Sequence, residues 1–180
     1  MALNDTIYVF DIELANSDSG VYESLKLRIA RHPSETAERM LTRLLAYCLE
    51  YTEGIALSNG ISDPDEPAVA VRDLTGALQV WIDVGAPEPA RLHRASKAAR
   101  RVAVYAHKDA AQLAARLSGE RIHRIDSLEL YAMDFDWLSD LAQRLQRRTT
   151  FTLTVSGQHI YLSLGDETLS GVIRRILVSQ

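Results

Sequence analysis

The sequence predicts a mixed α/β fold, with a central mixed β-sheet covered by helices and a β-hairpin at each end of the chain. Three observations carry that prediction. Apolar runs without polar alternation at 68–71, 78–84 and 102–106 have the character of strands buried on both faces. Segments of helical periodicity separate or flank them, and alternation of period two marks both ends. With 180 residues and no linker, repeat or low-complexity tract, the chain reads as one domain over 1–180.

Taken in order, Ile7, Val9 and Asp11 alternate with Tyr8, Phe10 and Ile12, then Asn16–Gly20 supplies a polar turn. The return strand alternates through Tyr22, Leu25, Leu27 and Ile29. A helix is predicted from Ser34 to about Tyr51, with Pro33 suited to its first position and His32 or Ser34 as its cap. Ala37, Met40, Leu41, Leu44, Leu45 and Cys48 form its apolar stripe; Glu38 lies at the margin and Glu35 further round. A short strand at 54–57 leads into the polar, acidic loop 58–67. Asp73–Gly76 then turns between the two apolar runs.

A helix from Pro89 or Ala90 to Arg100 precedes the buried run 102–106, and strand–helix–strand of these lengths implies a right-handed parallel crossover. A helix at Asp109–Leu117 and a strand at Ile125–Tyr131 repeat the theme. The helix Phe135–Arg147 is expected to bury Phe135, Leu138, Leu141 and Leu145. Strands at 151–155, 160–162 and 172–178 close the chain, the last being read as strand in preference to helix.

Composition excludes several classes of function. The net charge is −4, from 20 Lys and Arg against 24 Asp and Glu, so bulk charge gives no support for a generic nucleic-acid coat. Cys48 is the single cysteine, which removes an intrachain disulfide and a thiolate metal site; it reads as a buried, inert thiol. Met1–Asp5 has no signal-peptide character, and no apolar run approaches the roughly twenty residues of a membrane span. A cytoplasmic location is expected.

His32, His93, His107, His123 and His159 are scattered, without ligand spacing. Ser34 and Ser96 have no triad partners at recognisable spacing, and Gly54, Gly60 and Gly76 build no phosphate loop. Arg144, Arg147 and Arg148 follow the end of a helix, where cations complement its dipole.

The informative stretch is 63–83. Asp83 sits among Val80, Trp81, Ile82 and Val84, where a lone carboxylate costs several kcal/mol unless a metal, a cation or donors meet it. Strand pairing can bring Asp65 or Glu66 to it, and Glu38 can approach from the covering helix. Three such carboxylates make a hard-cation site, suited to Mg²⁺ or Mn²⁺, that polarises a phosphoryl oxygen and activates water. Arg91, Arg94, Lys97, Arg100 and Arg101 form a basic stretch on the following helix, several of them able to face one groove.

The order of helix, three strands, helix and strand looks like the αβββαβ core of PD-(D/E)XK nucleases. The segments His32–Met40, Asp65-Glu66-Pro67 and Trp81–Pro87 are more specific, and with them the chain resembles the YaeQ family over essentially its whole length. The likeness to the nuclease core implies a Mg²⁺-dependent phosphodiesterase acting on nucleic acid. Glu38, Asp65, Glu66 and Asp83 would be its acidic residues, with Glu66 and Asp83 on the metal.

One position departs from the nuclease pattern. Gly85 stands two residues after Asp83, where such a nuclease carries the Lys that stabilises charge at phosphorus. Lys97 or Arg94 would have to replace it. The alternative is a catalytically silent relative that binds DNA or RNA through Arg91, Arg94, Lys97, Arg100 and Arg101, or a protein partner through the same groove.

Overall fold

The computed structural model of the protein describes residues 4–58 and 63–179. The first three residues of the segment read for a signal peptide, and residues 59–62 of the acidic loop, lie outside them. In chain order the elements are β1 (Thr6–Asn16), β2 (Val21–Arg31), α1 (Ala37–Leu49), β3 (Ile55–Leu57), β4 (Val69–Arg72) and β5 (Leu78–Val84). They continue with α2 (Pro89–Ala98), β6 (Arg101–Ala106), α3 (Ala110–Ser118), β7 (Glu129–Ala132) and α4 (Phe135–Gln143). The chain closes with β8 (Arg148–Ser156), β9 (His159–Leu164), β10 (Glu167–Val172) and β11 (Arg174–Ile176). The fold is mixed α/β, and the run α1-β3-β4-β5-α2-β6 has the expected αβββαβ order.

The strands form two sheets. The terminal hairpins join, because β1 runs parallel to β8 with Asp11 opposite Thr150, giving the order β10-β9-β8-β1-β2. Alternation sets the face of β8: Thr149, Phe151, Leu153 and Val155 point inward and are buried, while the residues between them are exposed. The second sheet has the order β11-β7-β6-β5-β4-β3. In it β5, β6 and β7 are parallel, and β4 returns antiparallel along β5.

One core cluster unites the inner face of the first sheet, α1, α4 and one face of β5 and β6; a second lies under α2 and α3 on the other face. This arrangement explains α1. Its expected single apolar stripe is widened to burial of every residue from Met40 to Ala46, because a sheet lies on each side of it.

Several boundaries differ from expectation. Thr36 caps α1 by accepting from the Arg39 amide, so neither His32 nor Ser34 does, and Pro33 lies in the turn before it. The predicted strand at 125–131 begins instead with a 3₁₀ turn at Ile125–Ser127, before β7. Helix α4 ends at Gln143, short of Arg147, and α2 ends at Ala98, short of Arg100 and Arg101. The last segment changes sheet between Val172 and Arg174, which alternation within a strand does not announce. No helix among the described residues is long and apolar enough to cross a membrane.

At Gly171 on β10 the first sheet packs closely against α4. A Cβ there would stand 2.8 Å from Cγ and 2.9 Å from Cδ1 of Trp137, which is 4% exposed. Gly171→Ala is therefore expected to destabilise by about 1–3 kcal/mol through overpacking. A lower urea midpoint at unchanged m value would report it. An unchanged midpoint would mean that the indole swings aside at no cost.

Candidate functional site

Parallel strands β5 and β6 end side by side, and the chain leaves them through Gly85 and through His107-Lys108. In open α/β sheets the crevice beyond such carboxyl ends is where ligands bind. Because β4 is antiparallel to β5, with Val69 opposite Ile82, the segment before β4 is delivered to the same end. The result is a cleft of two lobes meeting at Ala86.

The first lobe, about 360 Å³, is lined by Arg39 and Arg43 of α1, Asp63 and Glu66 of the acidic loop, Asp83 of β5 and Arg91 of α2. Asp83 is 2% exposed. Its carboxylate accepts two hydrogen bonds from Arg91, from Nε at 2.8 Å and from Nη2 at 3.0 Å, and a longer one from the Ala68 amide at 3.4 Å. The same guanidinium donates to the carbonyls of Glu66 at 2.6 Å and Asp63 at 3.0 Å, and lies 5.1 Å from the centroid of the Trp81 ring. The hydrogen bond to Asp83 raises the Arg91 pKa against the opposing effect of burial. Arg91 thus stands as a fixed cation between β5 and the acidic loop.

Glu35 anchors the α1 side of this lobe. Its side chain is fully buried and accepts from Arg43 at 2.7 and 2.9 Å, and from Arg39. Arg43 also donates to the Ala30 carbonyl at 2.9 Å, and Arg31 to the Glu35 carbonyl at 2.8 Å.

The second lobe, about 370 Å³, is lined by Gly85, His107, Lys108, Asp109, Gln112 and Arg116. Gly85 has φ +86°, a conformation glycine adopts freely and Lys rarely. A Cβ there would meet Nε of Arg39 and Cε1 of His107, each at 3.8 Å. His107 Nδ1 is buried and has no hydrogen-bond partner among the described residues. Burial, together with Lys108 and Arg39, lowers the His107 pKa, so the neutral ring prevails at neutral pH.

The sequence-derived residues separate. Glu66 and Asp83 meet in the first lobe, whereas exposed Asp65 does not line it. Glu38, half-buried on α1, accepts from Ser139 of α4 at 3.4 Å and lines neither lobe. Arg94 and Lys97 are exposed on α2 beyond Arg91, with no partner among the described residues. Arg100 follows the helix. Arg101 opens β6 and binds Glu50 and Glu129, so its expected place on a basic helix is corrected: the helix has already ended. Among the described residues no three His, Cys, Asp or Glu side chains gather closely enough to hold a metal ion.

Sequence reasoning missed Arg39, Arg43, His107, Lys108 and Arg116. The spacing of Glu35, Arg39 and Arg43, one helical turn apart each time, was the available signal for the first two. No local pattern marks the other three, which come from two different segments.

A family model described as YaeQ protein matches residues 1–172. The uncharacterized protein YaeQ of Salmonella typhi is 32% identical over 164 residues, 91% of each chain. That of Escherichia coli strain K12 is 30% identical over the same span. Among solved structures, the YaeQ protein from Pseudomonas syringae superposes with a TM-score of 0.87 at 32% identity, over 96% of both chains. The YaeQ protein from Xanthomonas axonopodis pv. citri gives 0.85 at 26% identity, over 97% of this chain and 99% of that one.

Proposed function

The chain belongs to the YaeQ family, and from that premise we propose that it binds the phosphate backbone of a nucleic acid without hydrolysing it. The observation that carries this reading is the capture of Asp83 by Arg91. In the nuclease pattern that the αβββαβ order resembles, this carboxylate would face a divalent cation. Here the countercharge is a guanidinium, held in place by the two carbonyls of the acidic loop.

The residues present do not fit a Mg²⁺ or Mn²⁺ site of the nuclease kind. Three donors occupy Asp83 and Glu38 stands outside the cleft; of the two loop acids beside it, Asp63 accepts from the Asp65 amide at 2.9 Å and Glu66 is exposed. The backbone at Gly85 also disfavours the missing Lys. What the cleft offers is positive charge on a rigid support. Arg94 and Lys97 continue outward from Arg91 along α2, exposed and without a partner among the described residues, a track to which backbone phosphates can bind by releasing their counterions.

Fluorescence anisotropy with labelled single- and double-stranded DNA and RNA tests this. Affinity is expected to fall with salt, and Arg94→Ala or Lys97→Ala to reduce the log–log salt slope by about 0.7–0.9 each. Incubation with Mg²⁺ or Mn²⁺ is expected to leave the oligonucleotide intact. Metal-dependent cleavage that Asp83→Asn abolishes would overturn the silent reading in favour of a phosphodiesterase. Failure to bind any of the four nucleic acids would redirect the same groove to a protein partner.

A further inference from the structure

We infer that the second lobe is a subsite for a phosphomonoester, taken either from the end of a nucleic acid or from a free mononucleotide. The inference rests on the backbone-binding reading and specifies what its inner lobe receives. Three features of the lobe point to a compact dianion.

The lobe has the volume of a small-ligand pocket, about 370 Å³. Lys108 and Arg116 line it, against one acid, Asp109. Arg39 borders it at Gly85 and is held there by the buried Glu35 carboxylate, so its position is fixed before a ligand arrives.

A monoester phosphate carries about −1.5 to −2 charge at neutral pH and presents three acceptor oxygens, matching several convergent donors. An internal diester carries one charge and must continue in two directions. The exposed face of α2 suits that geometry; a recess floored by the buried Leu113 and the Gly85–Ala86 backbone suits a chain end. Gly85 also leaves the wall between Arg39 and His107 free of any side chain, so a phosphate oxygen can approach backbone directly.

The test is titration calorimetry of the full chain with one oligonucleotide sequence bearing a 5′-phosphate, a 3′-phosphate or hydroxyl ends, and with AMP. Each titration is repeated on Lys108→Ala and Arg116→Ala, both exposed positions that leave the core intact. A phosphorylated end is expected to bind about tenfold tighter than hydroxyl ends. Either variant should reduce that preference to about twofold or less. Equal affinity for all ends, with no AMP binding, overturns the subsite and leaves the backbone reading standing. If no oligonucleotide binds but AMP does, and Lys108→Ala abolishes it, the backbone reading falls and the lobe is a mononucleotide site. Binding of neither ligand overturns both.

Discussion

Glu35→Ala is expected to cost about 3–5 kcal/mol of folding stability, the loss typical of a buried ion pair broken on one side. By sequence Glu35 lies at the start of the predicted helix, round from its apolar stripe. In the fold its side chain is fully buried and faces Arg43, whose side chain is only 3% exposed. Removing the carboxylate leaves that guanidinium in the core with the Ala30 carbonyl as its remaining partner, and frees Arg39. Urea unfolding should show a lower midpoint at unchanged m value. Glu35→Ala combined with Arg43→Leu should recover much of the loss, since the stranded charge is then gone. A loss below about 1 kcal/mol for the single variant would mean that water reaches Arg43 and that the network is ordinary surface pairing.

Arg101→Leu is expected to cost about 3 kcal/mol at neutral pH, near the lower end of the buried-pair range because the Arg101 side chain keeps 35% exposure. Its guanidinium binds Glu50 at 2.6 and 3.0 Å and Glu129 at 2.5 and 3.0 Å. The hydroxyls of Tyr105 and Tyr131, whose rings stack at 4.9 Å, donate to the same two carboxylates. Burial opposes ionisation of Glu129, but the hydrogen bonds from Arg101 and Tyr131 outweigh it and hold its pKa below the usual range. A folded pKa below the unfolded one contributes stability that is present above about pH 4.5 and lost as pH falls through the folded value.

Without Arg101, Glu129 loses its cation and burial favours its protonated form. The variant should therefore gain stability relative to the wild type as pH falls from about 6 towards 4. At the alkaline end, burial and then Glu50 raise the Tyr105 pKa. Its contribution is full below about pH 10 and is lost as pH rises through the folded value. Thermal melts of both proteins from about pH 4 to 11 would show both ends. Parallel profiles would mean that the network does not govern the pH dependence.

Much of the fold was legible because its signals are local. Alternation from Ile7 to Ile12 and from Phe151 to Val155 announced strands, and the apolar run Val80–Val84 announced a buried one. Asp83 stood out for the same reason: a carboxylate inside such a run demands a partner. The spacing from Ala37 to Cys48 located α1 within a few residues. Legibility ended where contacts are distant. Nothing near Asp11 indicates Thr150 across a sheet, and nothing near Arg101 indicates Glu50.

The sequence by itself determined the secondary structure of the core, the order of its elements and the presence of an acid at the end of β5. Only the tertiary structure decided what meets that acid. A carboxylate in an apolar strand requires a cation, and a divalent metal, a lysine or an arginine would each satisfy that demand. The choice depends on which charge the packing of α2 on the sheet brings within hydrogen-bonding distance. That charge is Arg91, at 2.8 Å.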